Sequence, residues 1–182
     1  MPVVSFALDA ETISVLAGVI LLAICPFCRT RDAILTMQTL VGVAFATHFW
    51  LLGLTGAAVI SWLGGLQALA ALGACRWRVL DRAGYALIPA MVAAALWFWT
   101  GPVTLLAALA MALIASGRMC RDVVRLRGLI LAGCTVWAVH DALVGAWLMF
   151  IGDILSWMTG AAILFGPRLM SALSGRALPR PA

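Results

Sequence analysis

The apolar positions of this chain fall in long blocks rather than in alternation, and each block is long enough to cross a bilayer. No Asp, Glu, Lys or Arg occurs between Asp32 and Arg76, a stretch of 43 residues, and another 35 uncharged residues separate Arg82 from Arg118. A transmembrane helix needs roughly 20 apolar residues, so each stretch accommodates two spans and a tight turn. Breaker residues mark the turns at Gly53-Leu54-Thr55-Gly56, Thr100-Gly101-Pro102 and Ile151-Gly152-Asp153. The pattern predicts seven spans, near residues 12–28, 33–53, 56–75, 84–100, 102–117, 127–150 and 153–170. Trp50, Trp97 and Trp99 stand beside turns, as interfacial belt residues do.

Composition excludes a water-soluble domain. Hydrophobic residues make up 65% and charged residues 10% of the 182, against about 45–50% and about 25% in soluble proteins. The expected fold is all-α, a single polytopic transmembrane domain. The apolar run after Glu11 has no positive residue before it, so it is expected to be a retained first span rather than a leader.

The net charge of +5 would suit nucleic acid, but its placement argues for topology instead. All basic residues are Arg, in short clusters at the ends of apolar runs. Arg29 and Arg31 follow span one; Arg76, Arg78 and Arg82 follow span three. Arg118, Arg121, Arg125 and Arg127 follow span five, and Arg168, Arg176 and Arg180 follow span seven. Seven spans put all of these on one side, and Asp9, Glu11 and Asp153 on the other. The positive-inside rule then predicts an outer N-terminus and a cytoplasmic C-terminus. The expected partners are the bilayer and a small polar solute, with no nucleic acid; the oligomeric state is left open.

Three pairs of segments recur in order. Arg31-Asp32 returns as Arg121-Asp122, offset by 90; His48-x3-Leu52-Gly53 returns as His140-x3-Val144-Gly145, offset by 92; Ser61-Trp62 returns as Ser156-Trp157, offset by 95. They imply a parallel repeat around a linker span: repeat one over about 12–75, a linker helix over about 84–100 and repeat two over about 102–170, then a cytoplasmic tail, 171–182. An odd linker gives both units the same orientation.

Polar groups at membrane depth are costly and carry a functional expectation by default. His48 is expected in the outer half of span two, His140 and Asp141 near the middle of span six, and Gln67 within span three. Symmetry would bring the two histidines to matching depth, where imidazole can bind solute or pass a proton and Asp141 can accept one. Trp62 and Trp157 would supply flat walls. Against this, each His could close a helix–helix hydrogen bond, and each Trp could face lipid. The five cysteines read as free thiols, Cys25-Pro-Phe-Cys28 included. No nucleotide loop, catalytic triad or spaced metal-ligand set occurs, so neither a cofactor nor an enzymatic activity is expected.

The segment His48-Phe49-Trp50-Leu51-Leu52-Gly53, with Arg31-Asp32 before it and Trp137-x2-His140 after it, resembles the YgjV-like bacterial inner membrane proteins over most of the chain. The resemblance implies an inner-membrane location and assigns no activity. The three-plus-one-plus-three plan is also similar in architecture to the SWEET and PQ-loop transporters, which implies solute binding between two triple-helix bundles. No Pro-Gln pair occurs here, and span five has no proline after Pro102 at its start.

Three readings follow. A solute transporter working by alternating access would use a cavity holding His48 and His140. A receptor or assembly protein would pack both histidines dry and display a basic cytoplasmic patch. An intramembrane metal or redox enzyme on His48, His140, Asp141 and a thiol is a third, which would carry bound metal.

Overall fold

In the computed structural model, residues 9–174 are described, and side chains as far as residue 166. The tail arginines Arg176 and Arg180, and the side chain of Arg168, lie outside the described residues. Seven α-helices follow one another: α1 (Ala10–Ile24), α2 (Arg31–Leu51), α3 (Thr55–Gly73), α4 (Arg78–Trp97), α5 (Val103–Met119), α6 (Val123–Val144) and α7 (Trp147–Ser174). A 3-10 turn, Cys25–Phe27, extends α1, with Pro26 near its start. No strand occurs among the described residues. Six elements are long and apolar enough to cross a membrane: α1 with its turn, α2, α3, α4, α6 and α7 through Gly166; α5, at 17 residues, is shorter.

Local chemistry fixes the boundaries. Asp9, Thr30 and Asp122 cap α1, α2 and α6, each side chain accepting the backbone N–H three residues on. At the other ends of α2 and α6, Gly53 and Gly145 take φ of 71° and 74°, the left-handed conformation glycine reaches without a Cβ penalty. Leu54 N–H then bonds Phe49 O, and Ala146 N–H bonds Asp141 O, both at 2.9 Å.

This capping corrects one predicted turn. Ile151-Gly152-Asp153 does not separate spans six and seven; all three residues lie inside α7, and the chain turns at Gly145-Ala146. Gly152 is a packing position, where an added Cβ would stand 3.2 Å from Val19 of α1. Two consequences follow. Asp141 opens the last turn of α6 and His140 stands just before it, rather than mid-span, and Asp153 is a buried helical residue at 7% exposure rather than a loop carboxylate. His48 likewise lies in the last turn of α2. The helix α4 starts before the expected fourth span and takes in Arg78, Asp81 and Arg82. At the other end α7 runs to Ser174, past the start of the expected tail at 171.

Each helix packs on the next in sequence, and α7 closes the ring on α1 and the 3-10 turn; α3 also touches α5. Short turns make neighbours antiparallel, so every described arginine lies toward one end of the ring. One apolar core sits at that end, with Leu35, Leu126, Ala71 and Met119. A second joins Met91, Met111 and Ala115, with Trp137 against it. Trp50, Trp97, Leu143 and Val79 are exposed on the outside, a surface suited to lipid.

Candidate functional site

Three layers of polar side chains run through the ring. The first, at the arginine-bearing end, caps helix C-termini. Arg31 Nη2 donates to Ala71 O at 2.9 Å and Arg118 O at 3.0 Å, and its Nε donates to Cys120 O at 3.0 Å. Arg31 thereby ties the start of α2 to the ends of α3 and α5. Arg127 of α6 does the same for the 3-10 turn, donating to Pro26 O and Cys28 O. The C-terminal carbonyls lack intrahelical donors and carry the negative end of the helix dipole, so guanidinium suits them.

The second layer is a buried arginine. Arg118, in the last turn of α5, is only 5% exposed. Its Nη2 and Nε donate to Gln38 Oε1 at 2.6 and 3.2 Å; its Nη1 donates to Gly64 O at 2.9 Å and Gln67 Oε1 at 3.3 Å. Gln67, fully buried, passes on a bond to Ala115 O at 3.0 Å. Gln38 lies seven residues into α2 and Gly64 nine residues from the end of α3, so the guanidinium sits roughly 10–14 Å inside the ring. No carboxylate pairs with it among the described residues. Neutral oxygens of α2 and α3 solvate this cation entirely, an arrangement whose burial is costly.

The third layer runs from the arginine-bearing half of the ring toward the opposite end. A cavity of about 30 Å³ opens between the 3-10 turn, α2, α6 and α7, lined by Cys25, Gln38, Arg127, Cys134, Ser156 and Gly160 among others. That is room for one or two waters. Above Ser156, one turn back on α7, Asp153 is drawn up beside Asp141 of α6. Asp141 in turn meets His140 Nδ1 at 2.8 Å. Carboxyl, imidazole, hydroxyl, thiol and amide groups thus line the interior from the last turn of α6 to Arg118.

The sequence candidates fall out differently. His48 bonds Glu11 O at 3.1 Å across α1 and α2, whereas His140 stacks edge-on against Trp137 and bonds Asp141. No described hydrogen bond or ring contact joins the two histidines. Trp62 and Trp157 are 43% and 40% exposed, and Trp157 Nε1 donates to Thr135 Oγ1 at 3.0 Å on the outer surface. Among the described residues, no group of three His, Cys, Asp or Glu is placed to hold a metal. All five cysteines are free thiols.

Sequence reasoning missed Arg118 and Gln38. Arg118 heads a cluster with Arg121 and Arg125, and only its place inside the last turn of α5 sets it apart. The available signal was Gln38 and Gln67, two primary amides inside uncharged apolar runs that each require a partner.

No curated protein and no solved structure matches the chain. Residues 9–165, most of the chain and nearly all of the ring, match Imp-YgjV, described as bacterial inner membrane protein. With its apolar helices and the polar interior they enclose, the chain belongs to the Imp-YgjV family of bacterial inner membrane proteins.

Proposed function

We propose that this multi-pass protein is a transporter for a small solute, and that the solute is an anion. The observation that carries the reading is Arg118, a cation held inside the ring by neutral oxygens, without a carboxylate among the described residues, beside a cavity that also meets Arg127. Ionisable residues at membrane depth are costly, and solute and ion paths are among the functional sites they mark. An incoming anion would supply the missing counter-charge. The cavity of about 30 Å³ is too small for a solute, so this conformation is the occluded one. Opening would part α1–α3 from α5–α7 and free the Arg118 donors from Gln38, Gly64 and Gln67. Asp141, Asp153 and His140 would carry the accompanying protons, and His48, Trp62 and Trp157 would line the outer entry.

The geometry of α2 and α6 supports a repeat as its basis. Caps Thr30 and Asp122, turn glycines Gly53 and Gly145, and the starts of α3 and α7 at Thr55 and Trp147 share one offset of 92. In this reading α4 is the linker, α5 crosses despite its length, and the arginine-bearing end faces the cytoplasm.

The test is uptake by liposomes containing the full chain. Lactate, phosphate and chloride would be offered beside glucose and alanine. Entry of one anion, lost in Gln38→Glu while the protein stays folded, supports the reading, because the new carboxylate takes the solute's place. Entry of no anion, or uptake indifferent to Gln38→Glu, overturns it. A receptor or assembly role is the second reading, favoured by the separate packing of His48 and His140.

A further inference from the structure

A second polar feature lies at the arginine-bearing end and takes no part in the interior network. The turn between α3 and α4, the first turns of α4 and the loop before α6 enclose an open basin of about 420 Å³. Arg76, Arg78, Arg82 and Arg121 line it, with one carboxylate, Asp81. The basin falls within the roughly 300–1,000 Å³ range of small-molecule sites.

These arginines differ from the others on the same end. Arg31, Arg118 and Arg127 spend their donors on carbonyls and amides of the protein. Among the described residues, Arg76, Arg78, Arg82 and Arg121 make no side-chain hydrogen bond or ion pair, although Asp81 lies among them. The start of α4 adds donors of its own. Its N-cap position is Trp77, whose side chain makes no capping bond. Free N–H groups at a helix N-terminus, with the positive end of its dipole, favour an anion.

Residues beside these arginines in the chain say where the anion comes from. Trp77, between Arg76 and Arg78, is 60% exposed, and Val79 is 72% exposed. Tyr85, two turns into α4, is 55% exposed. Aromatic side chains of this kind sit at the headgroup level of a bilayer, with apolar neighbours toward the acyl chains. The basin therefore opens where phosphates of the adjoining leaflet lie.

We propose that Arg76, Arg78, Arg82 and Arg121, with the uncapped start of α4, form a binding site for the phosphodiester headgroup of an anionic phospholipid. Phosphate oxygens take the guanidinium and backbone donors, in the bidentate manner that suits arginine. Asp81 accepts from the hydroxyls of a glycerol headgroup, which selects phosphatidylglycerol over a choline ester. The site stands independently of any transport activity.

The test uses the full chain purified in a neutral detergent, titrated with dioctanoyl phosphatidylglycerol, dioctanoyl phosphatidylcholine and inorganic phosphate. The midpoint of thermal unfolding is the readout, since a ligand of the folded state raises it. Phosphatidylglycerol is expected to raise the midpoint and phosphatidylcholine to leave it unmoved. Replacing the four arginines by Gln should weaken the apparent affinity by about fivefold for each one removed. The paired control Arg29→Gln with Arg125→Gln, both exposed on the same end but outside the basin, should keep it. Equal weakening in the control would reduce the effect to general surface charge and overturn the site. Unchanged affinity in the four-arginine variant would overturn it too. A rise from inorganic phosphate as large as that from phosphatidylglycerol would assign the basin to a soluble anion and overturn the lipid.

Discussion

Arg118 Nη2 donates to Gln38 Oε1 at 2.6 Å, joining the end of α5 to the interior of α2 across 80 residues of chain. The bond is charge-assisted on one side only, because the amide is neutral. Its geometry therefore separates what Gln38 does for stability from what it does for charge. Gln38→Leu removes the acceptor of two guanidinium bonds and should cost about 1.5–3 kcal/mol per bond lost. Gln38→Glu keeps the acceptor, adds the missing counter-charge and should raise the unfolding midpoint above that of the parent. Thermal unfolding in detergent, followed by loss of helix, orders the three proteins. A Gln38→Glu midpoint at or below that of Gln38→Leu would show that the carboxylate gains nothing from Arg118.

Much of the ring was legible because the requirements of a bilayer are written in long blocks. Apolar runs, Gly53, Gly101 and the arginine clusters located all seven helices, and α1 with its 3-10 turn, α2, α3 and α5 to within a few residues at both ends. The failure at Gly152 is instructive. Glycine serves two purposes, a left-handed turn and a close helix contact, and a single sequence does not separate them. The recurrence of His-x3-apolar-Gly at His48 and His140 already held the answer, since a turn at Gly53 implies one at Gly145. Arg118 was hidden for a different reason. A guanidinium reaches several ångströms from its backbone, so a residue at a helix end can place its charge deep inside.

Close packing of α2 on α3 depends on one glycine more than on its neighbour. An added Cβ at Gly42 would stand 2.7 Å from Gly65 Cα and 2.8 Å from Gly65 N, both backbone atoms that cannot swing aside. At Gly65 the closest approach is 3.5 Å, ordinary contact. Gly42→Ala should cost about 1–3 kcal/mol by overpacking, and Gly65→Ala should be close to neutral. Matched unfolding midpoints for the two variants would show that the helices slide apart freely.

Arg127 should shield the thiols near the cavity. Its bonds to Pro26 O and Cys28 O hold in place the 3-10 turn that contains Cys25, which is only 4% exposed. Arg127→Gln releases both carbonyls and shortens the reach to them. Labelling by a membrane-permeant maleimide should then accelerate at Cys25 and leave the exposed Cys75 unchanged. Mass spectrometry of the labelled peptides reads both sites in one sample, and equal rates at Cys25 in parent and variant would dismiss the latch.

The N-cap of α1 gives a pH dependence of known sign. Thr12 N–H donates to Asp9 Oδ1 at 2.8 Å, and this bond holds the Asp9 carboxyl below its ordinary value of 3.8. A depressed carboxylate adds stability that is present above the unfolded value and is lost as pH falls through the folded one. Asp9 is exposed, so the effect is confined to the first turn. Hydrogen exchange at the amides of α1 should therefore lose protection in that turn as the pH drops below about 4. Asp9→Asn should show no such dependence, and a parent profile as flat as the variant's would remove Asp9 as the cap.

Gly53 and Gly145 offer a direct comparison of the two ends that α2 and α6 share. Each has positive φ, and an added Cβ at either meets nothing within 4 Å. Any cost of Gly53→Ala or Gly145→Ala is then conformational and should be about 1–2 kcal/mol at each site. Because the two φ values differ by only three degrees, the costs should match and the double variant should show their sum. Unequal costs would mean that one turn relaxes where the other cannot. In that case the offset of 92 would describe the chain path without describing its energetics.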